Sequence, residues 1–213
     1  LDITDARAKA GRLKAMVALG ERTLQSGSLT EFKEQEISTL LWALATVGMA
    51  SPALMAAVAA HLTAPEVIAG FRAPTIATIA WAFAKLGVRD VALMEALARR
   101  LLQPGMLESL QPHELVNVAC AWATLGVAHP ALTSAMAAWV TTSGTLGDFS
   151  AKNVASLAWA YAKLQVRDEH LMTAIARRMQ QPGLLPAFNA QDVATTAWAF
   201  AALGAASPRL MDA

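Results

Sequence analysis

The sequence predicts an all-α fold, an α-solenoid (superhelix) of tandem helix-turn-helix repeats, and three observations carry that prediction. First, the segment Asn153–Gln165, NVASLAWAYAKLQ, recurs at a constant spacing of 39 residues: EISTLLWALATVG at Glu36–Gly48, TIATIAWAFAKLG at Thr75–Gly87, ELVNVACAWATLG at Glu114–Gly126 and DVATTAWAFAALG at Asp192–Gly204. Self-similarity at a fixed period marks units that bury their apolar face only against their neighbours. Second, single positions form columns: Trp42/Trp81/Cys120/Trp159/Trp198, then Leu44/Phe83/Trp122/Tyr161/Phe200, with unbroken alanine at Ala43/Ala82/Ala121/Ala160/Ala199 and Ala45/Ala84/Ala123/Ala162/Ala201. Third, Ile76, Ile79, Ala80, Phe83 and Leu86 recur at helical spacing, and no stretch alternates with period two.

The register places units at 32–70, 71–109, 110–148, 149–187 and a truncated 188–213, with 1–31 as the tail of an earlier unit around Leu13, Met16, Val17 and Leu19, closed by Gly27. In each unit the first helix follows an apolar entry residue (Phe32, Phe71, Leu110, Phe149, Phe188). Ser150 and Asn189 suit N-caps, and Pro112 suits a first helical position, where its missing N–H costs nothing. Gly48, Gly87, Gln165, Gly126 and Gly204 stand where a C-cap belongs. The second helix opens at Ser51, Asp90, His129, Asp168 or Ser207 and buries Leu54/Leu93/Leu132/Leu171/Leu210 with Met55, Met94 and Met172, ending near Pro65, Pro104 and Pro182. Small alanines let successive hairpins approach closely while one aromatic per unit fills the wider gap. Trp122 is read as compensating in volume for Cys120, and Cys120 as a buried apolar residue. The Trp column serves packing or, on a second reading, stacking on a ligand.

Composition excludes several classes. With 213 residues, 55% hydrophobic and 15% charged, the chain buries a large core and is not disordered, and a net charge of +1 selects no partner by itself. One cysteine excludes a disulfide framework and a thiolate metal site. Ile37–Leu62 carries no formal charge, but Gly48 and Ser51-Pro52 interrupt it and the sister copies carry Lys85, Arg89 and Asp90 there, so no membrane span is expected. The histidines His61, His113, His129 and His170 fall in different columns, and the glycines end helices without forming a phosphate cradle, so neither metal, cofactor, small-molecule substrate nor catalysis is expected. The chain begins at Leu1 and stops inside a repeat at Ala213, so both ends look cut and any targeting peptide would lie outside it.

The first-helix pattern NVASLAWAYAKL and TIATIAWAFAKL, followed by a short break and a Leu-Met helix, resembles the octotricopeptide repeat over 32–213 and weakly over 13–31. That resemblance implies paired helices in tandem and a nucleus-encoded organellar protein of chloroplast or mitochondrion. Such proteins bind particular transcripts to support their stability, processing or translation, or join organellar ribosomes.

A modular RNA reader presents one polar, variable side chain per unit along its concave face. Two columns qualify as candidate base readers: Thr39/Thr78/Asn117/Ser156/Thr195, always small, and Glu36/Thr75/Glu114/Asn153/Asp192, one turn earlier and variable. They read equally as solvated helix backs bonded locally to the backbone. Basic residues recur on alternate units, with Lys85, Arg89, Arg99 and Arg100 matching Lys163, Arg167, Arg177 and Arg178; they are candidate phosphate contacts or, alternatively, helix-end charges. Trp139 lies outside the aromatic columns and is expected at the surface. The partners expected are single-stranded transcript or ribosomal RNA, and ribosomal or other proteins. The rival reading is a protein-interaction scaffold or a structural ribosomal subunit without transcript selectivity.

Overall fold

Glycine, proline and N-cap residues cut the sequence into short helices, and in the computed structural model those helices alternate as the columns require. The structure describes residues 31–48 and 51–205, with Ala15, Ala18 and Arg22 besides. The expected tail of an earlier unit around Leu13–Leu19 and Gly27, and the last second helix with Ser207 and Leu210, lie outside the described residues. The first helices are α1 (Glu34–Val47), α4 (Ala73–Leu86), α6 (Pro112–Leu125), α8 (Ala151–Lys163) and α10 (Ala190–Ala202). The second helices are α2 (Pro52–Leu62), α5 (Val91–Leu101), α7 (Pro130–Thr142) and α9 (Glu169–Met179). No strand occurs among the described residues, and the chain is an all-α helical-repeat protein.

The ends of these helices follow local chemistry. The side chains of Ser51, Asp90, His129 and Asp168 each accept the N–H three residues on, as do Ser150 and Asn189 on first helices. Gly48, Gly87 and Gly126 close α1, α4 and α6 in the left-handed region. Gln165 takes the same conformation at φ 57°, the one non-glycine to do so among the described residues. The connections between units are more ordered than loops: α3 (Pro65–Ile68) and 3-10 turns at Leu107–Ser109, Thr145–Asp148 and Leu185–Ala187 occupy them.

The closest helix packing joins each first helix to the next first helix, and second helices of neighbouring units touch far less. Buried Ala80, Ala82, Ala119, Ala121, Ala158 and Ala160 explain that difference, because side-chain size sets how near two helix axes can lie. The first helices therefore form the more tightly spaced of the two rows, the inner row. Between the rows, Leu54, Leu93, Leu132 and Leu171 meet Phe83, Trp122 and Tyr161, all fully buried. The Tyr161 hydroxyl donates to the Thr133 carbonyl at 2.6 Å, while Trp122 Nε1 has no partner.

Two expectations change here. The aromatic that fills the gap between rows is the second column (Phe83, Trp122, Tyr161, Phe200), while the Trp column packs only at the core's edge: Trp42 is 52% exposed, and Trp81, Cys120 and Trp159 are half-buried against the core. Residues two apart on a helix point about 200° from each other, so only one of the two can face the core. For the same reason Trp122 does not fill the space beside Cys120, which is half-buried on the other face.

Candidate nucleic-acid interface

Each central first helix is covered on three sides: by the first helices before and after it, and by the second-helix row. Beyond the first turn, the residues of α4 that are not buried are Thr78, Trp81, Lys85 and the terminal Leu86. On α6 they are Asn117, Cys120 and Thr124, and on α8 Ser156, Trp159 and Lys163. First-turn positions Pro74, His113 and Lys152 extend the same stripe. Steps of 4, 3 and 4 residues keep one face of a helix, so the open surface of the inner row is a four-position register repeated side by side.

The small polar column lies in the grooves between first helices. The Cys120 thiol reaches the Ser156 carbonyl at 3.6 Å, which puts the Trp/Cys position of one unit against the small residue of the next. Thr39 and Thr78 donate to the carbonyls of Gln35 and Pro74 one turn back. Asn117, Ser156 and Thr195 are half-buried and make no side-chain hydrogen bond among the described residues. Of the earlier column, Glu36, Glu114 and Asp192 accept the N–H of Lys33, Gln111 and Asn189, and the Asn189 side chain accepts from Asp192 N–H in return, which completes a capping box there. Thr75 is buried and donates to Glu34. Asn153 is half-buried. The first column thus keeps three side chains with unused hydrogen-bonding capacity, and the second is mostly committed to helix starts.

The basic residues do not form one patch. Lys85 and Arg89 lie where α4 turns into α5, and Arg99 and Arg100 lie at the far end of α5, eleven residues and about 15 Å away. Lys163 with Arg167 and Arg177 with Arg178 divide in the same way. Arg100 donates from Nε to the Phe71 carbonyl at 3.1 Å. Arg178, its equivalent, donates to the carbonyls of Leu146, Gly147 and Phe149 at 3.0, 2.9 and 3.2 Å, and to Gln181 Oε1 at 2.8 Å. These two guanidiniums latch the turn that enters their own unit. Arg89 donates to the Leu125 carbonyl at the end of α6, 3.1 Å away. Arg167 pairs with Glu169 at 3.2 Å, and Arg99 lies 3.9 Å from Glu95. Lys85, Lys163 and Arg177 are exposed.

Trp139 is not the surface aromatic the sequence suggested. It stands at the Arg100/Arg178 position of its unit, half-buried against the core, on a helix that packs on the Leu107–Ser109 turn. An apolar ring thus stands where the equivalent units place a guanidinium. Lys152 is a candidate that matching basic residues between units does not reveal; its column Gln35, Pro74, His113, Lys152, Gln191 varies as freely as the two polar columns, and that was the available signal.

Among the described residues no group of three or more His, Cys, Asp or Glu is placed to hold a metal ion, and no helix is long and apolar enough to cross a membrane. The family model of the RNA-editing substrate-binding complex 6 protein matches residues 12–213. No curated protein matches the chain. The octotricopeptide likeness is one of repeat pattern, whereas the family that matches is this other one.

Proposed function

We propose that this chain, which belongs to the RNA-editing substrate-binding complex 6 protein family, is a non-catalytic RNA-binding solenoid that holds single-stranded RNA along its inner row of helices. The observation that carries this reading is the open register repeated on α4, α6 and α8, with a small polar residue in the middle of all three and, on α4 and α8, a Trp followed by a Lys. The family's name, which couples RNA editing to substrate binding in a complex, supports RNA and protein partners. Lys85, Lys152 and Lys163 are the phosphate contacts on this stripe, with Arg99 and Arg177 on the outer edge. Asn117, Ser156 and Thr195 are the base-reading positions. An organellar setting, mitochondrion or chloroplast, follows from the octotricopeptide resemblance and is tested by locating a tagged copy in cells. The choice between messenger and ribosomal RNA is decided by crosslinking and sequencing the bound RNA.

Binding of labelled single-stranded RNA to the purified chain tests the main claim. Reversing Lys85 and Lys163 to Glu should weaken binding and flatten its salt dependence by about 0.7 log units per log unit of salt for each phosphate that is no longer neutralised. Unchanged binding by that pair of variants would end the assignment. A protein scaffold is the rival reading, since the family's name also places its members in a complex. A chain that captures a protein partner and no RNA would decide for it.

A further inference from the structure

We propose that Trp81 and Trp159 are base-stacking platforms, each coupled to a phosphate-contacting lysine one turn on, and that unit three is a gap in this ladder. The proposal rests on the RNA-binding reading above. Both rings are half-buried on the open stripe of the inner row. Their columnar equivalents Trp42 and Trp198 are about half exposed in the same register. An isolated exposed aromatic needs no explanation, but Trp42, Trp81 and Trp159 each leave part of an indole open in one register along one face. Packing against the core accounts for the covered part of each ring, as it does for Cys120 in unit three, but not for the part left open. The core between rows is already filled by the second aromatic column, and the contact with the next first helix is made at unit three by a cysteine, through Ser156.

The neighbours of each ring give the ligand class. Trp81 and Lys85, like Trp159 and Lys163, are spaced i, i+4 and so share a face with Cβ atoms about 5–6 Å apart. A planar apolar surface beside a cation suits a nucleotide, with the base on the ring and its phosphate on the ammonium. Thr78 and Ser156 lie one turn before the rings on the same face, where small side chains leave room for the base edge. Unit three carries Cys120 and Thr124 and so lacks both halves of the pair. The strand is therefore gripped at units two and four and spans unit three past Asn117, where a free amide can read one base without a ring beneath it.

The test measures the affinity of the intact chain for a mixed-sequence single-stranded RNA and for an abasic ribose-phosphate oligomer of equal length, with thermal unfolding followed in parallel. Trp81→Leu and Trp159→Leu keep apolar bulk but remove the platform. Each should weaken RNA binding by roughly 5- to 150-fold, the usual loss for one stacked base, and leave abasic binding unchanged. Cys120→Trp should tighten RNA binding and not abasic binding, which keeps the proposal testable if a leucine variant does not fold. Equal binding of RNA and abasic oligomer by the unaltered chain overturns the stacking proposal while leaving RNA binding intact. So do leucine variants whose loss of RNA affinity merely tracks their loss of stability. No binding of either oligomer overturns the RNA reading itself.

Discussion

Replacing Arg178 by alanine removes a guanidinium that holds three carbonyls of the turn between units three and four. The bonds to Leu146 and Phe149 are partly buried and the bond to Gly147 is exposed. Water replaces the exposed bond at little cost, whereas each partly buried one contributes about 1 kcal/mol. The side chain's methylenes, which lie over the turn, add about 1 kcal/mol of buried apolar surface. Arg178→Ala is therefore expected to cost about 3 kcal/mol, and Arg100→Ala, with its single bond to Phe71, about 1–2 kcal/mol. Arg177 is exposed and holds no such carbonyl, so Arg177→Ala should stay within about 0.5 kcal/mol.

Chemical denaturation followed by circular dichroism reads these differences. A helical array need not unfold in one step, so amide exchange over 144–150 is measured alongside. In Arg178→Ala, protection should fall first in that segment. Equal losses for Arg177→Ala and Arg178→Ala would refute the latch, as would unchanged exchange across the turn. If Arg178 were instead a phosphate contact, its removal would weaken RNA binding and lower the salt slope at unchanged stability.

Two further outcomes follow from single side chains. Gln165 holds φ 57° where equivalent units have glycine, so Gln165→Gly should raise stability by about 0.5–1 kcal/mol, seen as a higher denaturation midpoint at unchanged slope; a lower midpoint would contradict the strain. Burial pushes the Cys120 thiol from 9.0 to about 11. Because only the thiolate attacks, a disulfide reagent should react with the folded chain about 100-fold more slowly than with the unfolded one near neutral pH. The folded value is raised, so the stability linked to this group is complete below about pH 9 and disappears as pH rises toward about 11. Cys120→Ala should remove that part of the alkaline loss, and a native reaction rate equal to the unfolded one would show the thiol to be open.

The fold was legible because every device that specifies it is local and repeated. The N-caps Asp90 and Asp168, the glycines Gly48, Gly87 and Gly126, and the apolar spacing of Ile76, Ile79 and Phe83 each act within one or two turns of the chain. The short helical turns between units were not legible. The Thr145–Asp148 turn is held by Arg178 from about 30 residues later, and Arg100 holds the Phe71 carbonyl at the same separation. A guanidinium seen in sequence gives no sign of which oxygen it will reach.

The site is misread from sequence where polarity and geometry disagree. Tryptophan is apolar, so a binary pattern sends the Trp column inward along with Phe83 and Tyr161. Helical geometry sends the two columns to different faces, since Trp81 stands three residues after Thr78 and four before Lys85, and two before Phe83. The first two relations put it on the open stripe, the last takes it off the core. The same arithmetic explains why Lys85 and Arg100 do not belong together: columns record which residues are equivalent between units, not which are neighbours within one. Equivalence along the stack and adjacency within a hairpin are independent properties. On the reading proposed above, a strand lying across the inner row finds both properties together in Trp81 with Lys85 and in Trp159 with Lys163.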